Sequence, residues 1–256
     1  MSQCPARGLL VGAVGITIGL AACGGNPGGP GASSATGEEL GRLSARPRAI
    51  QIGRCQPGTH RLQVGTGTPY LFRVPEGSVH GTRALIVAFH GAGGNPRDGL
   101  WAFRAGRRNP NVLVLAPAAV GHSWSTQSKE DLGRIDQALR KVFRRCSIDP
   151  TRVAVGGHSA GASLALFLGL VNGDLFRAVI AFSPGELAAH AAHGKPRILL
   201  AHGSNDTVIP IGASDRIVRE LRQLGYGVTY LTTDGGHEVG LSISKRAIRW
   251  FCGSCE

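Results

Sequence analysis

The chain reads as an α/β protein: a mostly parallel central sheet covered by helices on both faces. Three observations predict this. Continuous apolar runs such as Ala84-Leu85-Ile86-Val87-Ala88-Phe89 have the length of strands buried on both faces. Stretches with helical spacing alternate with these runs. Finally, Ser159 stands in Gly157-His158-Ser159-Ala160-Gly161, after the apolar run Val153-Ala154-Val155-Gly156 and before the apolar run from Ala162 to Val171. That is strand, sharp turn and helix, with a serine hydroxyl projected above the end of a sheet.

The elements follow in order. His60 to Val64 and Tyr70 to Val74 read as short strands joined by a Gly-Thr-Gly-Thr hairpin signal. After the strand at 84–89, Val112 to Leu115 repeats the buried-strand pattern and stops at Pro117. Leu132, Ile135, Leu139, Val142 and Phe143 share one helical face, with Asp149-Pro150 as the stop signal. The helix after Ser159 is apolar nearly all round, which predicts burial. Strands are expected at 178–182, 198–201 and 228–231. An amphipathic helix on Ile217, Val218, Leu221 and Leu224 ends at Gly225, and Leu241 to Phe251 forms the last helix. Trp101 and Trp250 fall on helices and are expected in the core. Too few residues separate Ser183 from Ile198 for a lid domain, so a site at this edge would admit bulky or polymeric substrates.

The N-terminus carries a targeting signature. Arg7 precedes an apolar stretch, Gly8 to Leu20, that is too short to span a bilayer. Leu20-Ala21-Ala22-Cys23 then resembles the lipobox of bacterial lipoproteins. That resemblance implies a signal peptide over 1–22, a lipid anchor on Cys23 and export to the cell envelope. An ordinary secretory signal and an uncleaved anchor share the apolar stretch. Residues 23–54, rich in Gly, Ser, Pro and Ala, read as a flexible tether, and 55–256 as one catalytic domain.

The formal charge is +12. The arginines are scattered without interleaved aromatic residues or a nucleic-acid motif, so no nucleic-acid partner is expected. Beyond Cys4 and Cys23 there are four cysteines, 55, 146, 252 and 255, an even set that in an exported chain suggests disulfides. Three pairings are open. Cys252-Gly-Ser-Cys255 lacks the flanking strand or second pair of a redox or zinc site. His190-Ala-Ala-His193 could place two ligands on one helical face but has no third nearby. No metal or organic cofactor is expected.

A serine hydroxyl needs a base, and the base needs an orienting partner. His237, in Thr233-Asp234-Gly235-Gly236-His237-Glu238, follows the last strand and is the best base. His60 and His80 lie too early, and His202 ends a strand where packing or a supporting role is expected. Asp206, in Gly203-Ser204-Asn205-Asp206, occupies the loop where the orienting acid belongs. Asp234 and Glu238 are rivals by proximity, on a loop too tight to reach behind the imidazole. The oxyanion donors expected are the N–H groups of Ala160 and, in His90-Gly91-Ala92-Gly93-Gly94-Asn95, of Ala92. Trp124, in His122-Ser123-Trp124-Ser125, is a candidate substrate contact or a residue packed beneath its loop.

With oxyanion loop, serine, aspartate and histidine in this order, the chain resembles an α/β-hydrolase over about residues 55–251. More narrowly it resembles lidless serine esterases of the phospholipase/carboxylesterase, polyhydroxybutyrate-depolymerase and feruloyl-esterase kind. The resemblance implies hydrolysis of a short-chain, aryl, polysaccharide-linked or polyester ester through an acyl-enzyme. Hydrolysis of thioesters or amides, or a non-catalytic surface binding protein, would use the same scaffold.

Overall fold

The computed structural model describes residues 40–47, 55–77, 81–188 and 192–253. Cys23, His80, His190 and Cys255 lie outside the described residues, as does the signal segment 1–22. Among the described residues eight strands form one sheet: β1 (Gly58–Leu62), β2 (Tyr70–Val74), β3 (Arg83–Phe89), β4 (Val112–Ala116), β5 (Ile148–His158), β6 (Ala178–Phe182), β7 (Arg197–Gly203) and β8 (Val228–Thr233). Their spatial order is β1-β2-β4-β3-β5-β6-β7-β8. β1 and β2 pair antiparallel, and β2 joins β4 antiparallel; β3 to β8 are parallel.

Five α-helices among the described residues connect or follow the strands: α1 (Pro96–Ala102), α2 (Lys129–Arg145), α3 (Ala160–Val171), α4 (Gly212–Gln223) and α5 (Leu241–Cys252). Alternation along β3 explains the two layers. Leu85, Val87 and Phe89 pack with Ile135 and Leu139 of α2, Leu166 of α3 and Leu221 of α4. Ala84, Ile86 and Ala88 face the other way, with Leu100 of α1 and Ile248 and Phe251 of α5. A strand buried on both faces cannot alternate polar with apolar, which is why these strands read as continuous apolar runs.

Two features differ from the sequence expectation. Within the expected tether, residues 40–47 dock on the domain. Leu43 and Ala45 are buried, and full burial of a leucine side chain contributes about 1.5–3 kcal/mol. Arg42 and Arg46 pair with Asp174 beyond the end of α3. Asp136 of α2 accepts from the backbone of Ser44 and Ala45, and the Asn172 side chain bridges Leu43 and Gly41. Composition read this stretch as loose because its partners lie far away in the chain. The second difference is Trp101, expected in the core but 64% exposed. α1 has only seven residues, and its buried face is carried by Leu100 and Ala102.

Cys55 and Cys146 form a disulfide that ties the chain before β1 to the end of α2. The linked residues are 91 apart in sequence. For a loop of that length chain entropy gives about 4–5 kcal/mol, and native disulfides deliver about 2–4. The Cys55→Ser/Cys146→Ser variant is therefore expected to lose about 2–4 kcal/mol in urea unfolding; an unchanged midpoint would mean the crosslink adds no stability. Among the described residues no helix is long and apolar enough to cross a membrane, and no cluster of three or more metal-ligating side chains is present.

Candidate active site

The site forms at the C-terminal ends of β3, β5, β7 and β8. β5 runs into α3 through Ser159, whose backbone has φ 55° and ψ −125°. A non-glycine residue in this region stores about 1–3 kcal/mol of strain. Local hydrogen bonds hold it there: the Ser159 N–H donates to Phe182 O, and the N–H groups of Ala162 and Ser163 donate to Ser159 O. The glycines on either side are required by close approach. A Cβ on Gly161 would strike the carbonyl oxygens of Phe89 and His90, and one on Gly157 the carbonyl of Gly161. The turn therefore sits directly on the end of β3, which brings the serine beside the loop that follows β3.

His237 reaches Ser159 from the loop between β8 and α5. Its Nε2 lies 3.0 Å from Ser159 Oγ, and its Nδ1 lies 2.7 Å from Asp206 Oδ2. Nδ1–H donates to the carboxylate, which leaves Nε2 free to accept the serine proton. Asp206 follows β7, and its side chain has no solvent exposure. Burial would raise its pKa, but hydrogen bonds from His237 and from the N–H groups of Ile209 and Val208 outweigh this and hold it at about 2. It is thus an ionised partner for the imidazole. Among the described residues neither rival on this loop bonds the imidazole: Glu238 takes the N–H of Gly236, and Asp234 takes the Asn205 side-chain amide through its main-chain carbonyl.

Two further histidines support this arrangement, and their roles were only partly visible in the sequence. His202, buried at the end of β7, lies 2.6 Å from Ser214 Oγ through Nδ1. Its Nε2 lies 2.8 Å from Ile209 O and 3.2 Å from Asp206 Oδ2. Nδ1 accepting from the serine leaves Nε2–H for these two oxygens, so Ser214 and His202 fix Asp206 from behind. His158 precedes the nucleophile, and its Nε2 bonds the carbonyl oxygen of His237. Burial first, and the neighbouring His237 second, push its pKa down, so a neutral ring donates to that carbonyl and holds the His237 backbone over the serine. The motif position of His158 was visible in the sequence; its partner 79 residues away was not.

The expected oxyanion donors flank Ser159. In the loop after β3, the N–H of Gly93 is taken by His122 O and that of Gly94 by Gly91 O. The N–H of Ala92 has no such partner among the described residues. Ala160 opens α3, where the first N–H groups of a helix lack intrahelical acceptors. His90 shapes the loop with a neutral ring: Nδ1 lies 2.7 Å from Gly91 O, and Nε2 accepts from Ala119 N–H. Trp124 donates from its indole to His90 O at 2.8 Å and packs edge-on against Phe89. It is pinned beneath the loop and lines the same depression as Ser159.

Ser159 stands between two open depressions. One, of about 520 Å³, is bordered by Trp124, Ser125, Ser163, Leu164, Glu186 and Ile209. Ser163, one helical turn beyond Ser159, takes the N–H groups of Gly185 and Glu186 and shapes this wall. The other, of about 620 Å³, is bordered by Ala92, Trp101, Arg104, His158, Val208 and Val239. A serine with a base, a buried acid behind the base and unpaired N–H groups beside it has the parts needed to attack a carbonyl and hold the resulting oxyanion.

Comparison with known proteins agrees. The profile of the phospholipase/carboxylesterase family matches residues 119–241, which include Ser159, Asp206 and His237. A probable feruloyl esterase C from Aspergillus clavatus is 22% identical, covering 71% of this chain and 81% of its own length. The crystal structure of esterase PE8 is 25% identical with a TM-score of 0.58, covering 67% of this chain and 94% of that one. A ferulic acid esterase of the anaerobic fungus Anaeromyces mucronatus shares the fold at 16% identity and a TM-score of 0.56, covering 80% and 95%. With its eight-stranded sheet and these likenesses, the chain has the α/β-hydrolase fold and is similar to carboxylesterases.

Proposed function

We propose that the protein hydrolyses carboxylic esters through Ser159, His237 and Asp206. The observation that carries this reading is the single imidazole that meets the serine hydroxyl at 3.0 Å and the buried carboxylate at 2.7 Å. His237 Nε2 takes the hydroxyl proton as Ser159 Oγ bonds to the ester carbonyl carbon. The carbonyl oxygen becomes an oxyanion facing the N–H groups of Ala92 and Ala160. Collapse breaks the bond to the alcohol oxygen, which leaves with the proton held by His237, and the acyl group stays on Ser159. Water then gives a proton to His237, attacks the acyl carbon and releases the acid, and the proton returns to Ser159.

The open depressions favour large esters. Between β6 and β7 the described residues form no helix that would cover the serine. The feruloyl esterase likeness favours feruloyl-type aryl esters, with Trp124 as a substrate contact. The lipobox-like segment supports a lipid anchor at Cys23 on the outer side of a bacterial membrane.

Initial rates on p-nitrophenyl acetate, a peptide anilide and an acyl thioester test the reaction class. The ester is expected to be cleaved at least about 100-fold faster than the anilide, because p-nitrophenolate leaves more readily than an anilide nitrogen and the ester carbonyl is the more electrophilic. Faster anilide or thioester cleavage would refute the esterase reading. A correctly folded protein that neither turns over nor reacts with a fluorophosphonate would be a binding protein on this scaffold.

A further inference from the structure

On the far side of Trp101 and Arg104, away from the serine, lies a larger cleft of about 1010 Å³. Its charged lining comes from three elements: Arg73 on β2, Arg104, Arg107 and Arg108 on the turn after α1, and Lys245 on α5. Glu76 is the sole carboxylate among the described lining residues. Arg107, Arg108 and Lys245 are exposed and make no ion pair among the described residues. Arg73 pairs by its backbone with Thr59 and Val114 in the sheet, yet its Nη1 is buried with no hydrogen-bond partner. Burial and the nearby charge of Arg107 both disfavour its ionised form. Folding has gathered like charges around a partly buried guanidinium and supplied almost nothing to balance them. A structural ion-pair network would carry acids in similar number; an anion-binding cleft would not.

The cleft and the depression beside Ser159 share a wall, Trp101 and Arg104. Arg104 is fixed there by hydrogen bonds to Trp101 O and Val239 O, and its guanidinium lies 4.4 Å from the centre of the indole ring. An exposed indole beside an arginine offers a flat apolar platform for a sugar ring with a charged fork at its edge. We propose that this cleft is a subsite for a carboxylate-bearing carbohydrate chain, so that the ester cleaved at Ser159 is one carried on an acidic polysaccharide. Planar carboxylates suit arginine forks, and spaced carboxylates along a chain suit a cleft with several cations. The substrate assignment rests on Ser159 as nucleophile; the anion subsite does not.

The test uses the whole protein and two acetylated polymers, polygalacturonate and xylan, with de-esterified polygalacturonate as a binding probe. The wild type is expected to favour the acidic polymer in kcat/KM by roughly 10-fold or more at low salt, and to lose that preference in about 0.5 M NaCl. Arg107→Glu/Lys245→Glu should abolish the preference and the binding of the de-esterified polymer. Arg216→Glu/Arg219→Glu makes the same change of net charge on exposed positions of α4, in the other helical layer, and should retain both. Equal loss in the two variants would mean that net charge, not the cleft, is responsible, and would overturn the proposal. So would sedimentation of the protein with anionic phospholipid vesicles that depends on Arg107 and Lys245 while polygalacturonate fails to bind. If polygalacturonate binds through the cleft but neither polymer nor p-nitrophenyl acetate is hydrolysed, the subsite stands and the esterase reading falls.

Discussion

Ser159→Ala is expected to lower kcat by on the order of 10⁶ while the protein still folds and still binds substrate. The serine oxygen is the atom that bonds to the acyl carbon, and no alanine atom replaces it. What survives is the contribution of the N–H groups at Ala92 and Ala160, which hold an oxyanion whatever the nucleophile. Backbone strain separates this loss from damage to the fold. Alanine has the same Cβ and keeps the cost of φ 55°; Ser159→Gly removes it. The glycine variant should therefore be as inactive as the alanine variant but more stable than it, by about 1 kcal/mol. Steady-state kinetics and thermal unfolding on the two variants check both parts. The rival serine is Ser183, which follows β6 with φ 47° and is 3% exposed. Its N–H bonds to Ala201 O, and no imidazole bonds its hydroxyl among the described residues. Retention of more than about a hundredth of wild-type kcat in Ser159→Ala would move the nucleophile elsewhere.

The parts of this site that were legible in the sequence are those fixed by local pattern. A strand buried on both faces must be a continuous apolar run, so β3, β4, β6 and β7 could be read directly, and the ends of those runs mark the edge where chemistry sits. Gly157 and Gly161 were legible because a turn pressed against β3 leaves no room for a side chain. Pairings across the chain were not legible. Nothing near His158 signals that it will hold the His237 carbonyl, and nothing near Arg42 or Arg46 signals Asp174, 132 and 128 residues away. The capping box of Asn95 and Asp98 announces the start of α1, but a seven-residue helix has too few turns to say which way Trp101 points. The anionic subsite was hidden for a related reason. Its arginines and lysine are scattered from 73 to 245, and only the sheet order brings β2, the turn after α1 and α5 around one cleft.

Asp206→Asn is expected to cost on the order of 10⁴ in kcat with little change of shape. Asp206 Oδ1 accepts the N–H groups of Val208 and Ile209 at 2.9 Å each, and Oδ2 accepts from His237 at 2.7 Å. In asparagine the oxygen will keep the two backbone donors, which turns the NH₂ group toward His237 Nδ1. That nitrogen must then accept, Nε2 carries the proton, and the ring faces Ser159 as a donor instead of a base. His202 makes the substitution worse, because its Nε2–H, 3.2 Å from Oδ2, also meets a donor. The pH dependence separates this electrostatic role from packing. The Asp206 pKa falls from an ordinary 3.8 to about 2 on folding. A depressed carboxylate stabilises the fold above its unfolded pKa and loses that contribution as the pH falls through its folded pKa. The stability gap between wild type and Asp206→Asn should therefore be constant above about pH 5 and shrink between about pH 4 and pH 2. Urea unfolding across that range, with kcat measured at neutral pH, checks both statements. A kcat loss under about 10-fold would show that another group orients the imidazole. A stability gap that does not vary with pH would show that the buried carboxylate holds its place by shape alone.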